Sequence, residues 1–99
     1  MKYELIIREL AELDFFEAQD WYNGQRPGLG DEFQAVASQL LLRVQENPYL
    51  YPKIYRGVHR AVMNRFPYLL FYSVSSERII VHACLHSMRD PDLFKERVS

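Results

Sequence analysis

The chain has 99 residues, 48% of them hydrophobic and 25% charged, and 12 Lys+Arg against 13 Asp+Glu give a formal net charge of −1. With 7 Tyr, 6 Phe and 1 Trp it is too apolar to be disordered, and no apolar run reaches the roughly 18 residues of a membrane span. Its one cysteine, Cys84, excludes an internal disulfide framework and suits a reducing cytoplasm, so the expectation is one small cytoplasmic domain over residues 1–99.

Residues 2–8 alternate, with Tyr3, Leu5 and Ile7 on one face and Glu4 and Arg8 on the other, which predicts a half-buried strand. The start, Met-Lys-Tyr-Glu, leads straight into this pattern, so no signal peptide is expected. From about Glu9 the period becomes helical. Leu10, Leu13, Phe16 or Glu17, and Trp21 form a stripe, widened by Phe15, Ala18 and Tyr22. Glu9, Glu12 and Asp14 occupy the first turns, where the helix dipole favours negative charge. Asn23-Gly24 is a stop signal, and Arg26-Pro27-Gly28-Leu29-Gly30 a turn. A second helix starts near Asp31 with a stripe of Phe33, Val36, Ala37, Leu40, Leu41 and Val44, and Asn47-Pro48 ends it. Residues 9–47 are thus a helical hairpin.

Residues 48–57 read as a loop with Pro48, Pro52 and Gly57. Three strands follow: Val58 to Asn64, Tyr68 to Val74 and Ile79 to His86, the last two joined by a turn at Ser75-Ser76-Glu77-Arg78. Asp90 caps a short helix whose first residue is Pro91 and which runs through Val98. The order β-α-α-β-β-β-α defines an α+β fold, with the hairpin packed on an antiparallel sheet. The N-terminal strand can join the sheet edge beside a later strand.

The near-zero charge conceals an asymmetry. Residues 1–50 carry 4 basic and 9 acidic side chains, and residues 51–99 carry 8 basic and 4 acidic ones with all three His. An anionic partner would therefore meet the second half. Strand 58–64 sets Arg60 between Val58 and Val62. If those valines face the core, Arg60 needs a partner there: an acid of the hairpin, or a bound phosphate or transition state. Strand 79–86 places Ile79, Val81, Ala83 and Leu85 on a core face and His82, Cys84 and His86 on the other. Those three suggest zinc only weakly, because same-face strand neighbours stand about 7 Å apart. His86-Ser87-Met88-Arg89-Asp90 ends the last strand, where functional side chains collect. His86 there suits acid–base work and Arg89 anion binding, against a plainer helix cap and Arg–Asp contact. Trp21, Tyr22, Tyr49 and Tyr51 pack the hairpin on the sheet or stack on bases. There is no Gly-rich phosphate loop, nucleophile elbow or paired-His metal helix, and neither metal nor cofactor is expected.

Several pieces together resemble the RelE/ParE superfamily of type II toxin–antitoxin toxins, the plasmid stabilisation proteins. They are Trp21-Tyr22, Pro27-Gly28-Leu29-Gly30 with Phe33, Asn47-Pro48 with Tyr51-Pro52, Val58-His59-Arg60, Phe66-Pro67-Tyr68 and His86-Ser87-Met88-Arg89-Asp90-Pro91. The resemblance implies a growth-arresting toxin and a cognate antitoxin from the same operon, whose C-terminal segment wraps the toxin as a helix or an added strand; the expected seat is an apolar groove between hairpin and sheet, filled by a helix or by strand addition. It also implies one of two targets. ParE-like members inhibit DNA gyrase and are not known as nucleases. RelE-like members cut ribosome-bound mRNA without a metal. On the nuclease reading the catalytic residues are Arg60, His86 and Arg89. The resemblance gives Arg60 and Arg89 the phosphate charge, and His86 the proton for the leaving 5′ oxygen. The Pro-Gly-Leu-Gly turn, the Arg-Asp-Pro ending and the balanced charge favour the ParE side, with the nuclease as the alternative.

Overall fold

The computed structural model describes residues 3–98; the start of the predicted first strand at Lys2, with Met1 and Ser99, lies outside them. The elements are β1 (Glu4–Ile7), α1 (Glu9–Gln25), α2 (Leu29–Glu46), β2 (Lys53–Tyr55), β3 (Val58–Val62), β4 (Tyr68–Ser75), β5 (Arg78–His86) and α3 (Lys95–Val98). The five strands lie in the order β1-β5-β4-β3-β2. Pairing is antiparallel from β2 to β5, while β1 joins the edge parallel to β5, Glu4 opposite Arg78 and Ile7 opposite Val81. The α+β class and the edge position of the first strand are as expected.

The stretch 48–57 is not all loop. Arg56 and Gly57 both have positive φ, 44° and 78°, which is the handedness of a two-residue hairpin turn, and they fold β2 onto β3. Three helix ends also differ from the sequence reading, the first being α2, which starts at Leu29 inside the predicted turn rather than near Asp31. Asn23-Gly24 does not stop α1, which continues to Gln25 and yields at Arg26, the residue before Pro27. Asn23 instead accepts the Gly30 N–H through Oδ1 at 2.7 Å and so ties the two helices together. At the C-terminus, residues 91–94 form turns rather than helix. Asp90 accepts the Asp92 N–H at 2.9 Å, and the backbone continues with i→i+3 bonds such as Arg97 to Phe94.

The hairpin covers one face of the sheet. The α2 stripe lies there as predicted, with Phe33, Ala37, Leu40 and Val44 buried against Leu70, Tyr72, Ile79 and Val81. Tyr72 satisfies its buried hydroxyl by donating to the Pro48 carbonyl at 2.6 Å. Tyr22 stacks on Phe33 and meets Phe66 edge-on, with centroids 5.5 and 4.9 Å apart. Trp21 and Tyr49 do not pack hairpin onto sheet; both are exposed.

β5 does not keep one core face. Phe71 pairs with Ala83 and Tyr72 with Val81, so His82 is an extra residue in a β-bulge. Alternation resumes in the opposite phase. Ile79, Val81 and Cys84 face the hairpin, whereas Ala83 and Leu85 turn to the other side with Val58, Phe71 and Phe94. There the C-terminal segment forms a third layer, Phe94 lying flat on Phe71 at 4.4 Å. The bulge thus gives the sheet two apolar faces from strands that each read as having one.

Candidate functional site

Arg60 is exposed, not buried among valines as its flanks suggested. Ala61 of β3 and Met63 just beyond it face the hairpin, and Val62 is 62% exposed. The buried polar residue of this strand is its neighbour His59, stacked on Tyr72 at 5.0 Å and bonded through Nδ1 to the Tyr51 carbonyl at 2.7 Å. Arg60 therefore stands on the face that carries Phe94.

His86 ends β5 opposite Tyr68, whose ring it meets edge-on at 5.2 Å. The chain then turns sharply. Ser87 N–H donates to the Pro67 carbonyl and Arg89 N–H to that of His86, at 2.8 and 3.0 Å. Met88 N–H donates to Nδ1 of His86 at 3.0 Å, which leaves Nε2 as the nitrogen that carries the proton of the neutral ring. The turn swings Arg89 toward Arg60. Both arginines and His86 line one cleft of about 160 Å³, whose apolar lining includes Leu69, Phe71, Leu85 and Phe94, with Ile54 and Asp90 beside them. Among the described residues neither Arg60 nor Arg89 forms an ion pair. The cleft thus offers two uncommitted guanidiniums and an imidazole over an apolar floor, chemistry that suits an anion.

The strand triplet His82, Cys84 and His86 diverges. His82 is held by Arg8 and Ser73, Cys84 faces the hairpin core, and His86 lines the cleft. Burial pushes the Cys84 thiol far above its ordinary range, so it remains a thiol. Among the described residues no group of His, Cys, Asp and Glu is arranged to hold a metal ion.

A second feature lies mainly on the hairpin and reaches the edge of the sheet at Ile7 of β1. The predicted α1 stripe turns outward: Leu10 is 53%, Leu13 47%, Phe16 68% and Trp21 58% exposed. The face that packs inward is Ala11, Phe15, Ala18 and Tyr22, whose small residues let α1 approach the sheet closely. α1 therefore has two apolar faces. The outer one, with Phe33, Ala37 and Leu41 of α2, lines a groove of about 610 Å³, edged by Glu9, Glu12, Gln19, Gln34 and Ser38. The sequence signal for it was present in the number of large apolar residues on α1, more than one helix face can bury.

The architecture defines a class: a helical hairpin on one face of a mostly antiparallel sheet, with a short C-terminal segment and a cleft on the other. A chain of a solved structure described as the chromosomal ParDE TA system from P. aeruginosa has this fold, with a TM-score of 0.76 and 16% identity over 85% of this chain and 95% of that one. No family model and no curated protein matches the sequence. Among the described residues no helix is long and apolar enough to cross a membrane.

Proposed function

We propose that this protein is the toxin of a type II toxin–antitoxin pair of the RelE/ParE superfamily. It belongs to the ParE-like side, arrests growth by inhibiting DNA gyrase, and is neutralised by an antitoxin from the same operon. The observation that carries the reading is the outward apolar groove of α1 and α2. A 99-residue chain that leaves Leu10, Leu13 and Phe16 exposed in one groove presents a surface for a partner. Its spacing, i, i+3 and i+6, suits an amphipathic helix laid along it. The acidic rim of Glu9 and Glu12 selects a helix with basic flanks. A disordered antitoxin segment would order there, covering large apolar side chains at about 1.5–3 kcal/mol each when fully buried. The fold shared with a ParDE chain and the sequence resemblance support the same reading. Purified protein is expected to inhibit gyrase supercoiling and to lose that effect when the antitoxin is added. No inhibition at high molar excess would overturn the gyrase target. No antitoxin-dependent rise in melting temperature would overturn the pairing.

The cleft favours a second reading, a metal-independent, ribosome-dependent mRNA endoribonuclease. As the 2′-OH attacks phosphorus and the P–O5′ bond breaks to leave a 2′,3′-cyclic phosphate, Arg60 and Arg89 would neutralise the extra phosphate charge and the 2′-OH proton would pass to solvent. His86 in its imidazolium form would give its Nε2 proton to the leaving 5′ oxygen and return to the neutral ring. In a translation extract this activity would appear as discrete mRNA cuts. An Arg60→Ala, His86→Ala double variant that stays fully toxic would exclude it.

A further inference from the structure

The C-terminal segment is fastened to the sheet by a polar network on the side away from Arg60. Asp14 of α1 and Arg97 of α3 form a bidentate pair, Nη1 to Oδ2 at 2.8 Å and Nη2 to Oδ1 at 2.9 Å, with side chains only 10% and 18% exposed. Asp14 Oδ2 also accepts the Cys84 N–H at 3.0 Å, on the edge of β5 beyond the reach of β1. Arg97 Nη1 donates again to the His82 carbonyl at 3.3 Å, at the bulge. From the other side Arg8, just after β1, donates to the Arg97 carbonyl at 2.6 Å and faces Nδ1 of His82 at 3.3 Å. Ser73 Oγ lies 2.8 Å from Nε2 of the same ring.

These partners dictate the protonation state of His82. A guanidinium only donates, so the nitrogen facing Arg8 is the bare one and Nε2–H donates to Ser73. A proton added at Nδ1 would set two donors and two positive charges against each other. Arg8 would have to move, and it would take with it the bond that holds the Arg97 carbonyl. The charged groups around the ring are Arg8 from the end of β1 and Arg97 from α3, with Asp14 of α1 on Arg97 and Glu17 and Glu96 beyond it. Burial and the Arg8 charge together hold the imidazole below its ordinary value near 6.5.

We propose that Arg8, His82, Asp14 and Arg97 form a proton-operated latch in which neutral His82 keeps the C-terminal segment closed over the sheet and protonated His82 loosens it. The segment is also a wall of the cleft, through Phe94 on Phe71, so loosening opens the space beside Arg60 and Arg89. The latch is independent of which target the protein has.

Backbone 15N relaxation and His ring titration on the full chain, followed from pH 7.5 down through the complete His82 titration, test this. In the wild type, order parameters over residues 95–98 are expected to fall from about 0.85 to below about 0.6, with the same midpoint as the His82 ring. His82→Gln should keep these residues ordered throughout, and His86→Gln should behave as the wild type. The proposal is overturned if residues 95–98 stay ordered while His82 titrates, or if His82→Gln loosens at the same pH as the wild type. Should His82→Gln fail to fold, coincidence or separation of the two wild-type midpoints decides alone.

Discussion

Gly30 and Cys84 show how single positions are set by their neighbours rather than by their own chemistry. A Cβ on Gly30 would overlap the Gln19 carbonyl oxygen and the Asn23 side chain, because the start of α2 crosses α1 at this point. Backbone cannot yield as a side-chain tip can. Gly30→Ala is therefore expected to cost about 1–3 kcal/mol, read as a lower midpoint in urea denaturation. Cys84 is 2% exposed and its thiol is held neutral by burial, so a thiol reagent such as DTNB should leave it untouched in the folded protein and label it on unfolding. Fast labelling under native conditions would show that α1 lifts off β5. Arg60 carries the opposite lesson. Its position between two valines suggested burial, yet it is exposed: the strand turns it to the face that carries Phe94, where Val58 is buried but Val62 is 62% exposed. It nevertheless shares a cleft with His86 and Arg89, the two residues singled out with it. What made those three legible was residue type at a strand centre and a strand end. What hid the rest of the cleft, Phe94 and Ile54, was that nothing local marks a residue that arrives from another element.

The element that departs furthest from its pattern is α1. Leu10, Leu13, Phe16 and Trp21 read as the buried stripe, but the buried face is the one with Ala11, Phe15, Ala18 and Tyr22, and those four face out. Periodicity finds a helix without saying which of two apolar faces meets the core. α2 has only one such face, and its burial followed the pattern. The outer face of α1 makes a direct prediction. Leu13→Asp or Phe16→Glu should alter the stability of the free protein by no more than about 0.5 kcal/mol, since neither site is buried. The same changes should weaken antitoxin binding by tenfold or more, about 1.4 kcal/mol, measurable by calorimetry. Unchanged affinity would move the partner to another surface. The Asp14–Arg97 pair belongs to this scale as well, since it joins α1 to α3. Asp14→Asn removes the charge from a largely covered pair, so a loss on the order of 3 kcal/mol is expected in chemical denaturation.

At the scale of the whole molecule, the His82 environment links stability to pH. Its folded-state pKa lies below the unfolded value near 6.5. Above that value both states leave the ring neutral, and its contribution is fully present. As pH falls, the unfolded chain takes up a proton that the folded one resists, so stability declines until the folded pKa is passed. The slope from this one group is at most about 1.4 kcal/mol per pH unit. Urea melts at pH 7.5, 6.5 and 5.5 should show a loss for the wild type that His82→Gln reduces. The sequence by itself determined the helical hairpin, the strand meander and the charge asymmetry, because periodicity and proline act over a few neighbours. Only the tertiary structure decided that β1 lies parallel to β5, that a bulge at His82 reverses the faces of the last strand, and that α1 turns its larger apolar face outward. Those outcomes depend on how elements distant along the chain fit one another, and one inserted residue in a ladder of period two exchanges core and surface for every residue after it.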